Sequence, residues 1–332
     1  MARHGGPGPL ARLQQVLTLG ALGLAGVWAL YWTSQGRPWL AAAGVGLILG
    51  GYAAVLAFEM VLLYFTHGAD PSPRARVPAL WRAWWGEVKS APTVFCWRQP
   101  FRSQVWPDQL PARAPGRRGV LFVHGFVCNR GVWNPWLARL TTQGTPFVAV
   151  NLVPVFGTID DTIGVVEDAV RRLEAATGRA PVVVAHSMGG LVLRRWWAEH
   201  GAAARVHHVI TIGTPHQGTW LARWGHTANA RQMQIDSPWL LNLAQREGPS
   251  GALKLPLNLP LTSPLTSPPI SPLTSPLTSR MTCFYSDCDN IVFPPSRATL
   301  PGAHNIHLPG LAHVHMADAP EPWAELQRRL AD

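Results

Sequence analysis

The sequence predicts an α/β protein, a mostly parallel sheet with helices on both faces and a helical cap, preceded by two membrane-crossing helices. Three observations carry this expectation. From Val120 onward, short apolar runs alternate with stretches of helical spacing, the pattern of a parallel sheet buried on both faces. A serine sits in Ala185-His186-Ser187-Met188-Gly189-Gly190, between an apolar run and a helical one. Two long stretches with almost no charge fill the first 65 residues.

Val16 to Trp32 carries no charge, and Trp39 to Phe65 carries only Glu59. About 20 apolar residues span a bilayer core as a helix, so residues 1–66 are expected to form a transmembrane hairpin. Trp28, Trp32, Trp39 and Tyr64 fall near the ends, where amphipathic rings favour the interface. A cleaved signal peptide is the alternative for the first run, but no small-x-small site follows it and a second apolar run does. Arg3 and Arg12 precede the pair, Arg74, Arg76, Arg82 and Lys89 follow it, and only Arg37 lies between. The positive-inside rule then places both ends in the cytoplasm. The expectation is a multi-pass protein, as of a bacterial inner membrane, with its catalytic domain facing the cytoplasm. Glu59 is read as snorkelling to the interface, an intramembrane functional group being the alternative. Residues 67–99 form a Trp-rich amphipathic connector. Its Trp81, Trp84, Trp85 and Val88 share a helical face, suited to lying on a membrane or to covering the domain.

Residues 100–332 are long enough for one large catalytic domain. Strands are expected at Val120–Val123, Phe147–Leu152, Val182–Ala185, Val206–Ile212, Met281–Tyr285 and Asn305–Leu308. Helices are expected around Trp133–Gln143, Asp161–Thr177, Gly189–His200 and Pro322–Leu330. A Pro-Leu-Thr-Ser repeat within about 255–280 breaks the rhythm; repeated proline removes backbone donors and forbids helix, so it reads as a disordered insertion. With 47% hydrophobic and 14% charged residues, the chain as a whole is neither disordered nor fibrous. The 28 Lys and Arg against 18 Asp and Glu give a formal charge of +10. These bases are scattered and accompany no nucleic-acid-binding signature, so no nucleic-acid partner is expected. Four cysteines are too few for a disulfide scaffold; Cys283 and Cys288 would pair only in an oxidising compartment, free thiols being the alternative.

The chemistry rests on four places. Ser187 lies where a sharp strand-to-helix turn would hold a nucleophile, and the turn needs small residues around it; Ala185 and Gly189 meet that need. Val123-His124-Gly125-Phe126 ends the first strand, where a loop amide can stabilise an oxyanion; the backbone N–H groups of Phe126 and Met188 are the expected donors, with His124 organising the loop. The acid comes from Ser286-Asp287-Cys288-Asp289-Asn290, with Asp289 preferred and Asp287 suited to a loop cap. The base comes from a cluster of His304, His307, His313 and His315. His313 is preferred over His315, and the spacing matches no strong zinc pattern.

The segments HGFVCNRGVW, AHSMGGL, ITIGTPHQGT, SDCDNIV and LAHVHM resemble the bacterial lipase and esterase branch of the α/β-hydrolase superfamily, over roughly residues 100–332 without the repeat. That resemblance implies the α/β-hydrolase fold, a Ser187-Asp289-His313 triad and action on carboxylic esters, often of lipids, without a cofactor. Thr214 to Thr219 resembles the family's approach to a lid, which places a cap at about 216–250. Ala185 in place of the commoner glycine, the proline repeat and the membrane hairpin are departures. The calcium site of some relatives cannot be assigned, and no metal is expected. An acyltransferase or thioesterase using the same triad, and a non-catalytic membrane scaffold, are the alternatives.

Overall fold

The structure is a computed structural model and describes residues 8–110, 116–201, 205–247 and 277–332. Its N-terminal part is helical: α1 (Pro9–Ser34), α2 (Pro38–Gly50), α3 (Tyr52–Thr66) and α4 (Val77–Pro92), the last running through a π-helical stretch (Thr93–Arg98) into the short α5 (Gln99–Arg102). The second part then alternates β1 (Val120–Val123), α6 (Asn134–Gln143), β2 (Phe147–Ala149), α7 (Ile163–Thr177), β3 (Val182–His186), α8 (Met188–His200) and β4 (His208–Ile212). Two helices follow in the segment expected as a cap, α9 (Ala228–Gln232) and α10 (Pro238–Glu247), then β5 (Met281–Tyr285), β6 (His304–His307), α11 (His313–Met316) and α12 (Pro320–Ala331).

The six strands form one sheet in the order β2-β1-β3-β4-β5-β6, with every neighbouring pair parallel. Strand alternation splits the core in two. Leu121, Val123, Val183 and Ala185 pack with α7 and α8 on one face. Val120, Phe122, Val182 and Val184 pack with Trp133, Trp136 and Leu137 of α6 and its approach, and with Leu326 of α12, on the other. The central strands β1 to β5 are therefore largely apolar and buried on both faces, whereas the edge strand β6 is polar and partly exposed. The expected strands and helices all form, with shifts of one to three residues at their ends, the largest in β2, which stops at Ala149 instead of Leu152. The proline repeat lies outside the described residues except at its end, where Thr278–Arg280 makes one 3₁₀ turn into β5. The four cysteines are free thiols, so Cys283 and Cys288 do not pair.

The N-terminal helices depart from a simple hairpin. α1 is long and apolar enough to cross a membrane, whereas the second stretch breaks at Gly51 into α2 and α3, bent by 52°. α1 and α2 pack together: the Trp28 indole fills the space that a side chain at Gly44 would occupy and donates to the Leu40 carbonyl at 2.9 Å. α3 instead leaves the pair and packs on the sheet domain, where Met60 and Leu63 join Ala75, Ala83, Phe293 and Ala312 in a third apolar cluster. The start of α1 is held to the same domain by Gln15, whose side chain donates to the Pro100 carbonyl at 2.6 Å. α4 packs on the domain as well. Its domain-facing residues are Ala83, Gly86 and Glu87, while Trp81 and Trp85 stay exposed.

Phe122 is fully buried at the middle of the sheet with Trp133 and Trp136 rings at 5.1 and 5.8 Å. Phe122→Ala is expected to cost about 3–5 kcal/mol, from lost burial and an unfilled cavity, read as a lowered midpoint in denaturant unfolding of the detergent-purified protein.

Candidate active site

Ser187 caps the junction of β3 and α8 with φ 54° and ψ −131°, a conformation that costs a non-glycine residue of order 1–3 kcal/mol and persists only where the surroundings enforce it. Here they do. The Ser187 amide donates to the Ile212 carbonyl at 2.9 Å, anchoring the turn to β4. α8 leaves so steeply that a Cβ at Gly189 would lie 2.6 Å from the carbonyl oxygens of both Val123 and His124. A side chain there would force helix and strand apart and flatten the turn. On β1's side, a Cβ at Gly125 would lie 3.2 Å from Ser187 Oγ, so the loop that carries Phe126 runs directly beside the hydroxyl. Met188 opens α8, and first-turn amides have no partner within a helix.

The acid and base loops meet the same point from the other side. His313 Nδ1 lies 2.9 and 3.0 Å from the two oxygens of Asp289. Asp289 Oδ1 also accepts from the amides of Ile291 and Val292 at 2.9 and 2.8 Å. Gly213, just after β4 with φ 55°, leaves room for this pair, since a Cβ there would stand 3.0 Å from both Asp289 Oδ2 and His313 Nδ1. Ile212, the residue before it, is the one that holds the Ser187 amide, so the Ser187 backbone and the Asp289–His313 pair both lie by the end of β4. Among the described residues, Ser187 Oγ makes no hydrogen bond to His313. The bond that links the two loops is between His186 Nε2 and the His313 carbonyl, at 3.2 Å, with the two imidazoles 4.6 Å apart.

Burial alone would make the His313 imidazole harder to protonate, but the Asp289 carboxylate outweighs it and raises the pKa above the usual 6.5. The competing residues are engaged elsewhere. Asp287 accepts from the Gly310 amide at 2.7 Å and faces His307 at 3.4 Å. His304 is exposed, and His315 lies against Gly86. The described residues include no group of three or more His, Cys, Asp or Glu placed to hold a metal.

The profile of the α/β hydrolase family matches residues 120–326, a span that holds the whole sheet and all the residues above. The chain belongs to the α/β hydrolase family. No curated protein matches it in sequence. Among solved structures it is similar to the mature form of a Bacillus licheniformis lipase, with 17% identity and a TM-score of 0.50 over 68% of this chain and 94% of that one. An Aspergillus fumigatus lipase B is similar with 20% identity and a TM-score of 0.48, over 63% and 51% of the two chains. At these identities the likeness is one of fold.

Several histidines of this hydrolase serve as neutral struts. His124 Nε2 accepts from the Leu152 amide at 2.9 Å, so its Nδ1 carries the proton and donates to the Gly125 carbonyl at 2.9 Å. That pair of bonds sets the loop before Phe126, and burial pushes the His124 pKa down to about 4. His216 shares a hydrogen with Thr211 Oγ1 at 3.0 Å, and its carbonyl accepts from Arg194 at 2.6 Å; burial lowers its pKa far below 6.5. Burial does the same to His186, down to about 3, and to His208, down to about 4. A cleft beside His124 is closed on one side by Leu10 and Ala11 of α1 and on the other by Cys128, Leu152 and Val153.

Sequence reading missed Gly213, Asn290 and Glu87. The first two follow strand ends where several loops crowd, a setting that no local pattern reports, and Glu87 sits on a helix face that the tryptophans disguise.

Each depressed histidine is neutral when folded and protonated when unfolded between its lowered pKa and 6.5. The native state should therefore lose stability as pH falls from 6.5 towards 4. The expected measure is uptake of about three to four protons on unfolding near pH 5, from the pH dependence of the unfolding free energy.

Proposed function

We propose that the protein is a membrane-anchored serine hydrolase of carboxylic esters, of lipid or other acyl type, working through Ser187, His313 and Asp289. The observation that carries this reading is the strained serine at the β3–α8 turn with a buried His–Asp pair around the same strand end. Ser187 Oγ attacks the acyl carbonyl while His313 Nε2 takes its proton. Asp289, bonded at Nδ1, holds the imidazole in the tautomer with a free Nε2 and stabilises the imidazolium as it forms. The carbonyl oxygen, now an anion, is received by the amides of Phe126 and Met188. His313 then protonates the departing alcohol, leaving the acyl group on Ser187. A water, deprotonated by His313, attacks that acyl-enzyme and restores the hydroxyl.

Membrane anchoring is supported by the apolar, outward-facing length of α1. Leu17, Leu24, Val27, Leu30 and Tyr31 all have more than half their surface exposed. The α2–α3 pair supports a second, broken crossing. α1 begins and α3 ends against the same domain, which supports both ends of a hairpin lying on the domain's side; the basic flanks support that side being the cytoplasm.

Ser187→Ala is expected to abolish fluorophosphonate labelling and to lower turnover of a short-chain aryl ester by at least about 10³-fold, while Asp289→Asn lowers kcat by about 10²- to 10⁴-fold. Equal labelling of wild type and Ser187→Ala overturns the reading. His313 must be neutral to act as base, and Asp289 raises its pKa, so kcat/KM should fall as pH drops below a limb that lies above 6.5. In Asp289→Asn that limb should move to lower pH. Carbonate extraction should leave the full chain in the membrane, and in sealed right-side-out vesicles external protease should spare the hydrolase domain.

A further inference from the structure

α4 does more than connect the hairpin to the sheet domain. It approaches closely enough that a Cβ at Gly86 would lie 2.5 Å from His315 Nδ1. That closeness brings the buried Glu87 carboxylate onto the start of α11. One oxygen accepts the Val314 amide and the other the His315 amide, each at 3.0 Å. α3 makes a matching contact through Asn290. Glu59 accepts from Asn290 Nδ2 at 2.6 Å, and Asn290 Oδ1 accepts the His313 amide at 3.1 Å. The amides of residues 313, 314 and 315 are therefore all held by side chains. Glu87 holds two of them directly, and Glu59 braces the side chain that holds the third.

We propose that Glu87 and Glu59 are positioning residues for His313, so that the N-terminal helices complete the active site instead of only tethering it. This rests on the reading of Ser187, His313 and Asp289 given above. α11 has only four residues, so its first amides have no partner within the helix and these side chains supply their acceptors. An apolar residue at position 87 would satisfy packing at lower cost, because a buried carboxylate loses its hydration; what a carboxylate adds is two acceptor oxygens and a charge. The groups that face the His313 imidazole are Asp289 from the loop after β5, Glu87 from α4, Glu59 from α3 and His186 from β3. Both glutamates add to Asp289 in favouring the imidazolium, the form that His313 takes in the transition state. Burial raises Glu87 itself to about 7, against the pull of its two amide bonds.

The test uses the full chain in detergent, as wild type, Ser187→Ala, Glu87→Gln, Glu59→Gln and the double glutamine variant. Kinetics on an aryl ester across the pH range are read beside thermal melting. Each glutamine keeps one acceptor oxygen and removes the charge. Each single variant is expected to lose about tenfold in kcat with KM nearly unchanged, and to move the acid limb of kcat/KM to lower pH. A packing role alone would lower the melting temperature and leave the limb in place. Turnover that needs Ser187 but shows wild-type kcat and an unmoved limb in the folded variants overturns the proposal alone. Turnover that survives Ser187→Ala overturns the underlying reading and the proposal with it. If Glu87→Gln does not fold, Glu59→Gln decides: a lowered limb supports the proposal, and an unmoved one overturns it.

Discussion

A carboxylate and an imidazole set side by side in a protein interior constrain everything around them. Asp289 is fully buried and His313 nearly so. Neither can borrow water, and an unsatisfied charge at such depth costs several kcal/mol. The loop after β5 therefore folds back so that the amides of Ile291 and Val292 reach Asp289. The start of the cap is then tied to that loop, with Thr219 Oγ1 donating to the Ile291 carbonyl at 2.6 Å and the Trp220 amide to the Phe293 carbonyl at 2.9 Å. Satisfying one buried charge thus fixes the acid loop, the cap's root and the direction of α11.

The strain at Ser187 is the other half of the same design. A positive φ at a non-glycine residue is tolerated because β1, β4 and α8 each remove an alternative: β4 takes the amide, β1's carbonyls approach Gly189, and α8 begins at once. The sheet supplies the rigidity. Its apolar strands pack on both faces, so the strand ends at its carboxyl edge, where the site lies, move little relative to one another.

The N-terminal helices change how the molecule is divided. Residues 1–66 read as an anchor, and α1 does carry an outward apolar surface. Yet α3 and α4 bury Met60, Leu63 and Ala83 against the loops that carry Asp289 and His313. These helices and the sheet domain therefore share a core.

Much of the fold was legible because a buried parallel sheet writes itself as contiguous apolar runs, and because β3, the elbow and α8 are neighbours in sequence. The Ala185 to Gly190 segment encodes its turn locally through side-chain size. Asp289 could be preferred over Asp287 only by position after a strand; the structure separates them by partner, giving His313 to one and His307 with the Gly310 amide to the other. The break at Gly51 was not legible, since hydropathy counts apolar residues and is blind to the direction in which a helix leaves.

By itself the sequence determined the strand and helix periods, the serine turn and the apolar N-terminus. All of these depend on residues within a turn or a strand of one another. Only the tertiary structure decided which acid faces which histidine, that α4 presents Glu87 to the domain while Trp81 and Trp85 stay outside, and that Glu59 bonds Asn290. Those choices join residues up to 231 positions apart, and such contacts are selected by how whole layers pack, which no local pattern of residues records.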